Sequence, residues 1–306
     1  MNKLKDRLLI LNEKKYVEKI INDDLFMLPI KYYPYLVLVA KHYSDNGLTK
    51  SEIKNELKKY MKLHYPQYSE KKDLITKTCD KVADKYHKQG ERQLTEIDEI
   101  PITKTEIQKI KEIEELPELN GADKKAMQRL LFTILVFGKW QNMRNPRNKL
   151  CWCNLTSYEI LEAARVSKNK LILLGELYNR GYIMHQKSLC GDNCYALIVD
   201  DTAETQIHIH DLRELGYRWN QFRGDEFISC SNCGVTVKVN SAHNGMCRDC
   251  FTNKDMTVAR CTDCGILFIK GKRAGIKTRC DCCQNIRTKN GKKRKVIDDK
   301  NSPKAA

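Results

Sequence analysis

Eight cysteines in the last third of the chain come as four pairs, each separated by two residues: Cys230 with Cys233, Cys247 with Cys250, Cys261 with Cys264, and Cys280 with Cys283. Thirteen residues lie between the first two pairs and fifteen between the last two. A two-residue spacing lets one tight turn offer both sulfurs to a tetrahedral ion at about 2.3 Å. Gly234 and Gly265 follow the second cysteine of their pairs, where a left-handed residue turns backbone amides toward the sulfurs. The strand-like stretches VTVKVN and ILFIK come next, so each group of four reads as a hairpin carrying one pair with a second knuckle below it. Segments this short cannot bury an adequate apolar core, and a metal cross-link is what lets them fold.

These two segments resemble tandem four-cysteine zinc ribbons, and the resemblance implies two structural zinc ions, one per group. An iron centre would accept the same four sulfurs, but the two-knuckle pattern favours zinc. Unliganded thiols or disulfides are the blander reading, against which four matched pairs weigh. Cys282, in CDCC, is a surplus thiol, since pairing Cys280 with Cys283 keeps the common spacing. No open coordination position with a general base beside it is apparent, so the sites read as structural.

Fourteen cysteines also speak to the compartment. The start, MNKLKDRLLILNEKK, carries charges through its apolar stretch and lacks a small-residue cleavage site, which makes it a poor signal peptide. The longest apolar runs, around Leu130–Phe137 and Tyr35–Ala40, fall far short of the ~20 residues that span a bilayer. A cytoplasmic protein with no membrane partner is expected, in which thiols stay reduced and serve as metal ligands. Lys and Arg number 55 against 39 acidic residues, a formal charge of +16. Two four-thiolate sites, each carrying one divalent ion, would lower that to +12. The chain stays basic, which favours polyanionic partners, nucleic acid above all.

Residues 1–118 read as a helical N-terminal domain. An apolar helix from about Tyr32 to Tyr43 ends near Gly47, and Thr49 with Glu52 forms a capping box for the next. Ser69 is a candidate cap for a helix toward Lys88, with Cys79 in its core, and Thr103 with Glu106 makes a second capping box. The repeat of LTKSEI (from Leu48) in LTSYEI (from Leu155) raises a helix-turn-helix unit here as well. Residues 91–118 hold nine carboxylates against four basic residues, so they read as a solvated surface or linker with a boundary at Pro117–Gly121.

Residues 119–203 have a more specific order. A strongly apolar helix, Met127 to about Trp140, leads to the strand-like LCWCN; Thr156 and Glu159 then cap a helix, and Ser167 a further one. In that last helix Leu171, Leu174, Leu177 and Tyr178 recur at helical spacing, Ile172, Leu173 and Glu176 are expected outward, and Gly181 sits where a C-cap belongs. IMHQKSLCGDNCYALIVD reads as two strands joined by a Gly-Asp-Asn turn. Helix, strand, helix, helix, hairpin resembles a winged helix, with LGELYNRGYI as the end of its recognition helix. Cys151 and Cys153 on the first strand, with Cys190 and Cys194 flanking the hairpin turn, form a candidate third metal site; the alternative is buried small hydrophobes.

The fold class expected is therefore α+β and multidomain: helical domain 1–118, winged helix 119–203, zinc ribbon 204–253, and zinc ribbon with basic tail 254–306. Residues 251–306 hold fifteen Lys and Arg against five acidic residues. The tail residues Lys292, Lys293, Arg294 and Lys295 suit phosphate contacts, as do Lys270, Lys272, Arg273, Lys277 and Arg279 between the last two pairs. Lys168, Asn169 and Lys170 open the recognition helix, where base edges would be met, and Lys187 lies on the wing. A solubilising tail or targeting signal is the alternative for the basic run. No phosphate-cradling loop, nucleophile elbow or HExxH motif occurs, and the pair His208 and His210 in HIHD has no further ligand spacing with it. These readings point to a non-enzymatic DNA-binding regulator of transcription or replication. The domain mixture resembles phage and mobile-element proteins, and the alternative is a protein-binding adaptor or inhibitor acting through the winged helix.

Overall fold

The computed structural model describes residues 8–29, 31–87, 93–148, 150–185, 193–254, 257–270 and 277–289. Helix exceeds strand, 51% against 13%, and the class is α+β. The chain divides into two compact units: residues 1–15 with 95–252, and residues 16–94 with 253–306. The divisions between the units fall at 15/16, 94/95 and 252/253.

The second unit is led by helices. α1 (Glu13–Asn22) crosses the boundary at residue 15, and α2 (Tyr33–Asp45), α3 (Lys50–His64) and α4 (Lys72–Tyr86) come after it. Gly47 ends α2 with φ +82°, and Thr49 and Glu52 close the capping box that opens α3. Ser69 does not cap α4, which starts after Lys71 without a side-chain cap. The Lys71 amide before it instead donates to the Gln67 and Tyr68 carbonyls of the preceding turn. Leu36, Val39 and Ala40 of α2, Ile53, Leu57 and Met61 of α3, and Ile75, Cys79, Val82 and Ala83 of α4 are buried. Their spacing of three and four gives each helix one apolar stripe. Lys50 and Lys54 pair with Asp84, and Lys58 with Asp80, across the α3–α4 contact.

The first unit is built around one helix. β1 (Ile100–Thr103) runs into α5 (Lys104–Lys111), capped by the Thr103–Glu106 box, and then α6 (Gly121–Arg144). Every residue of α6 from Leu130 to Trp140 is buried, so this helix is enclosed on all faces. The acidic stretch 91–118 is not a linker. Ile100 and Ile102 alternate on β1 with Ile97 ahead of it, Ile107, Ile110 and Ile113 recur at helical spacing, and all six are buried in the core with α6. The carboxylates between them masked both periodicities.

β2 (Trp152–Cys153), α7 (Ser157–Ala163), a tight 3-10 turn at Lys168–Lys170, α8 (Ile172–Asn179), β3 (Ile183–His185) and β4 (Cys194–Ala196) continue the unit. The three strands form an antiparallel sheet in the order β2-β4-β3. Thr156 and Glu159 cap α7 as expected, and Gly181 comes after α8 with φ +74°, whereas Ser167 precedes the tight turn without a side-chain cap. The apolar phase of α8 differs from expectation: Leu173, Leu174 and Leu177 are buried, while Leu171 and Tyr178 are exposed.

β5 (Thr205–Ile209) returns to pair antiparallel with β1, Ile100 opposite Ile209 and Ile102 opposite Ile207. α9 (Leu215–Phe222) packs Trp219 on Phe132 of α6, ring centroids 5.1 Å apart. β6 (Phe227–Ser229), β7 (Thr236–Lys238) and α10 (Arg248–Asn253) complete this unit up to its boundary. In the other unit β8 (Thr257–Arg260) and β9 (Leu267–Lys270) form a hairpin, and residues 281–289 are helical. Among the described residues no helix is long and apolar enough to cross a membrane.

Candidate metal centres

Each cysteine group is assembled by the same local structure. β6 and β7 pair with Ser229 opposite Thr236, and β8 and β9 with Arg260 opposite Leu267. Cys230 and Cys261 are the next residues along, and their amides donate to Val235 O and Ile266 O at 2.9 Å. Gly234 and Gly265 donate back to Cys230 O and Cys261 O at 2.9 Å, with φ of +74° and +70°. The first pair of each group therefore sits in the tight turn its glycine requires.

The second pair departs from a two-knuckle ribbon. Cys247 and Cys250 open α10, and Cys280 and Cys283 open the 281–289 helix, with Phe251 and Gln284 amides donating to Cys247 O and Cys280 O. At a helix start, two residues between thiolates put both sulfurs on the first turn, beside amides that lack helical partners. The amide of Cys250 points at Cys247 Sγ at 3.4 Å, and that of Cys247 at Cys230 Sγ at 3.2 Å.

The four sulfurs of each group lie within 4.8 Å of one another, a set that could hold a metal ion. Cys233 Sγ and Cys247 Sγ are 3.9 Å apart, and Cys264 Sγ and Cys280 Sγ 3.7 Å. A tetrahedron with metal–sulfur bonds of about 2.3 Å has edges of about 3.8 Å. Donor set and spacing are thus compatible with two zinc sites.

The electrostatics single out one thiol in each group. Burial pushes Cys230 up, but amides of Cys247, Cys233 and Asn232 outweigh it and bring the thiol down to about 6. Cys261 is likewise lowered to about 6 by amides of Cys280, Cys264 and Asp263 against burial. At Cys250 the Asn232 side-chain amide, 3.2 Å from the sulfur, pulls down, yet burial and the neighbouring sulfurs prevail and raise it to about 12. Burial raises Cys233 and Cys264 as well, and the sulfurs of Cys264 and Cys280 raise Cys283. Four thiols this close hold one thiolate readily and resist further charge unless a cation enters.

Two arginines at the knuckles were missed by sequence reasoning. Arg213, clasped to Asp211, donates to Cys233 O at 2.7 Å. Arg260 donates to Gly265 O at 3.1 Å. Arg260 directly precedes Cys261, a signal that could have been read; Arg213, twenty residues from its knuckle, offered none.

Of the candidate third site, Cys151, Cys153 and Cys194 are buried, Cys153 stands opposite Cys194 across β2 and β4, and Cys190 lies outside the described residues. Burial raises the Cys151 thiol. Cys282 is exposed. His208 lies on the exposed face of β5 and His210 follows the strand's end, His208 Nδ1 2.7 Å from Glu99 Oε1 and His210 Nδ1 3.3 Å from Asp98 O.

The nucleic-acid candidates separate by their partners. Lys168 and Asn169 are exposed, with Lys168 Nζ over the Tyr158 ring, whereas Lys170 is half-buried against Asp123. Lys270 ends β9, Lys277 pairs with Asp281, and Arg279 with Asp263. Lys187, Lys272, Arg273, Lys292, Lys293, Arg294 and Lys295 lie outside the described residues. A comparison with known protein families, characterised proteins and solved structures finds no match to this chain.

Proposed function

We propose that the chain is a non-enzymatic DNA-binding protein, a regulator of transcription or replication, built on a winged helix and two structural zinc modules. The observation that carries this reading is the α7–turn–α8 pair followed by β3 and β4, with β2 completing the sheet in the order β2-β4-β3. That arrangement leaves Lys168 and Asn169 exposed where the second helix begins, the end that meets base edges in groove-reading helices. The charge of +16, with the basic tail, would supply sequence-independent affinity through counterion release. The zinc ions hold their modules folded and take no part in chemistry.

The test is duplex binding across a salt series. Replacing Lys168 and Asn169 with alanine should reduce preference among sequences, because groove contacts carry discrimination. Neutralising Lys292, Lys293, Arg294 and Lys295 should weaken binding to all sequences alike and flatten the log–log salt slope by up to about one unit for each phosphate no longer engaged. Undetectable duplex binding at low salt would end this reading.

A protein-binding adaptor or inhibitor is the second reading, favoured by one observation: Ile172 is 74% exposed, and Leu171 and Tyr178 are exposed on the same helix. Ile172→Asp would then abolish capture of a partner and leave the domain folded. Leu173, 4% exposed, belongs to the core and cannot serve that test.

A further inference from the structure

Arg260 stands one residue before the ligand Cys261 and reaches in three directions. Its Nη1 donates to Gly265 O at 3.1 Å and to Leu63 O at 3.3 Å, and its Nη2 to Asp24 O at 2.8 Å. Leu63 lies in the last turn of α3, where carbonyls lack helical partners and the dipole presents negative charge. Asp24 belongs to the segment that packs on that helix end, where Leu28 donates to His64 O and His64 Nδ1 donates to Phe26 O. Gly265 comes directly after the ligand Cys264 and holds φ +70° in the knuckle. One guanidinium therefore bridges the knuckle carbonyl and the end of the helical body.

We propose that Arg260 is the positioning residue that makes metal loading of the second cysteine module and its seating on the α1–α4 helices a single event. This rests on reading Cys261, Cys264, Cys280 and Cys283 as a zinc site. Gly265 donates to Cys261 O at 2.9 Å and holds φ +70°, so an ion that fixes Cys261 and Cys264 would also fix the Gly265 carbonyl that Arg260 meets. A loaded four-thiolate centre carries a net charge of about −2, and partners behind the ligands commonly change metal affinity 10–100-fold. Because loading and seating share one contact, each must strengthen the other by the same factor. Arg213 supplies the contrast. It grips its own knuckle at Cys233 O but is clasped by Asp211, close along the chain, and among the described residues it has no hydrogen bond to a helix end. Lysine at 260 would keep the charge but lose the fork that spans three carbonyls.

The experiment uses the full-length protein carrying two zinc ions, with zinc affinity read by competition against a chromophoric chelator and amide exchange read by mass spectrometry. Arg260→Ala should weaken one of the two zinc ions 10–100-fold and leave the other unchanged. In the loaded variant the amides of Phe26, Leu28 and Tyr65 should exchange toward the rates of chelator-treated wild type. Arg260→Lys, which keeps the charge at this half-buried position, should show an intermediate loss in both readouts. If Arg260→Ala keeps both zinc affinities, or if chelation of wild type leaves those amides protected, the coupling is absent and the proposal fails. A wild-type protein with no zinc at Cys261, Cys264, Cys280 and Cys283 would instead overturn the metal reading itself, visible as one ion per chain before any substitution.

Discussion

Replacing Cys233 with serine tests how much of the first metal module stands on its ion. The module's buried cluster consists of Cys230, Val235 and Cys247, with Cys233, Val237, Met246 and Cys250 partly buried around it. Among the described residues Val235 is the one fully buried apolar side chain of that cluster that is not a cysteine. Burying a valine contributes about 1.5–3 kcal/mol, whereas a structural zinc site supplies roughly 10–16 kcal/mol at neutral pH. The metal term is several times larger, so removing one of four sulfurs should unfold the module. The damage should stop at α9, because Trp219 is held by Phe132 of α6 in a separate, much larger core. Elemental analysis should find one zinc per chain instead of two. Limited proteolysis should cut within residues 227–252, while the near-ultraviolet circular dichroism of the tryptophans and the unfolding midpoint of residues 95–222 stay at wild-type values. Retention of two zinc ions would refute the ligand assignment. Loss of the tryptophan signal together with the zinc would refute the separation of the module from the α6 core.

Three side chains outside the cysteine groups give further expected outcomes. Lys139, 4% exposed, is bound by Glu106, Asp201 and Pro101 O; Lys139→Ala strands buried Glu106 and should cost about 3–5 kcal/mol in urea unfolding, while Lys139→Met with Glu106→Gln should cost less. A β-carbon on Gly216 would come 1.9 Å from Ala164 O, so Gly216→Ala should force α9 from α7 and lower the unfolding midpoint by at least the ~1–3 kcal/mol of ordinary overpacking. Burial first, and Arg260 with it, holds the His64 pKa below 6.5 in spite of the Phe26 carbonyl. The depressed folded value means stability is complete above pH 6.5 and falls as pH drops below it, so His64→Gln should flatten that acid limb in pH-dependent thermal unfolding.

What could be read from the sequence was local. Capping boxes at Thr49, Thr103 and Thr156 all form, because each needs only a hydroxyl and a carboxylate three residues apart. The cysteine groups come together for the same reason: within each knuckle, chain geometry leaves the sulfurs no other place. Residues 91–118 were misjudged because charge dominated their composition while six isoleucines carried the fold. Nothing local says that β1 finds β5 a hundred residues later, and without that pairing the strand looks like part of a linker. The phase of α8 was misjudged because Leu171, Leu173, Leu174 and Leu177 offer two overlapping apolar stripes, and packing buries the one with Leu173. Arg213 and Arg260 act through backbone carbonyls, and only Arg260, next to its cysteine in sequence, left a signal to read.

The two cysteine modules sharpen that distinction between local and distant information. They lie in different units, yet the residue before the first cysteine pairs with the residue six positions after that cysteine in both hairpins. Both place the second pair at a helix start, and both lower one thiol to about 6 through neighbouring amides. Sequence identity between the strands, FIS against TVAR and TVK against LFIK, is slight, so the shared register comes from the Cys-x-x-Cys-Gly turn and not from the strands it joins. What differs is the arginine behind each knuckle: one is tied back to an aspartate near its own module, the other spans to a helix end. On the coupling proposed for Arg260, a common four-cysteine unit serves at two places in the chain, and the residue outside the motif decides whether a bound ion would stabilise only the module or also the body on which it rests.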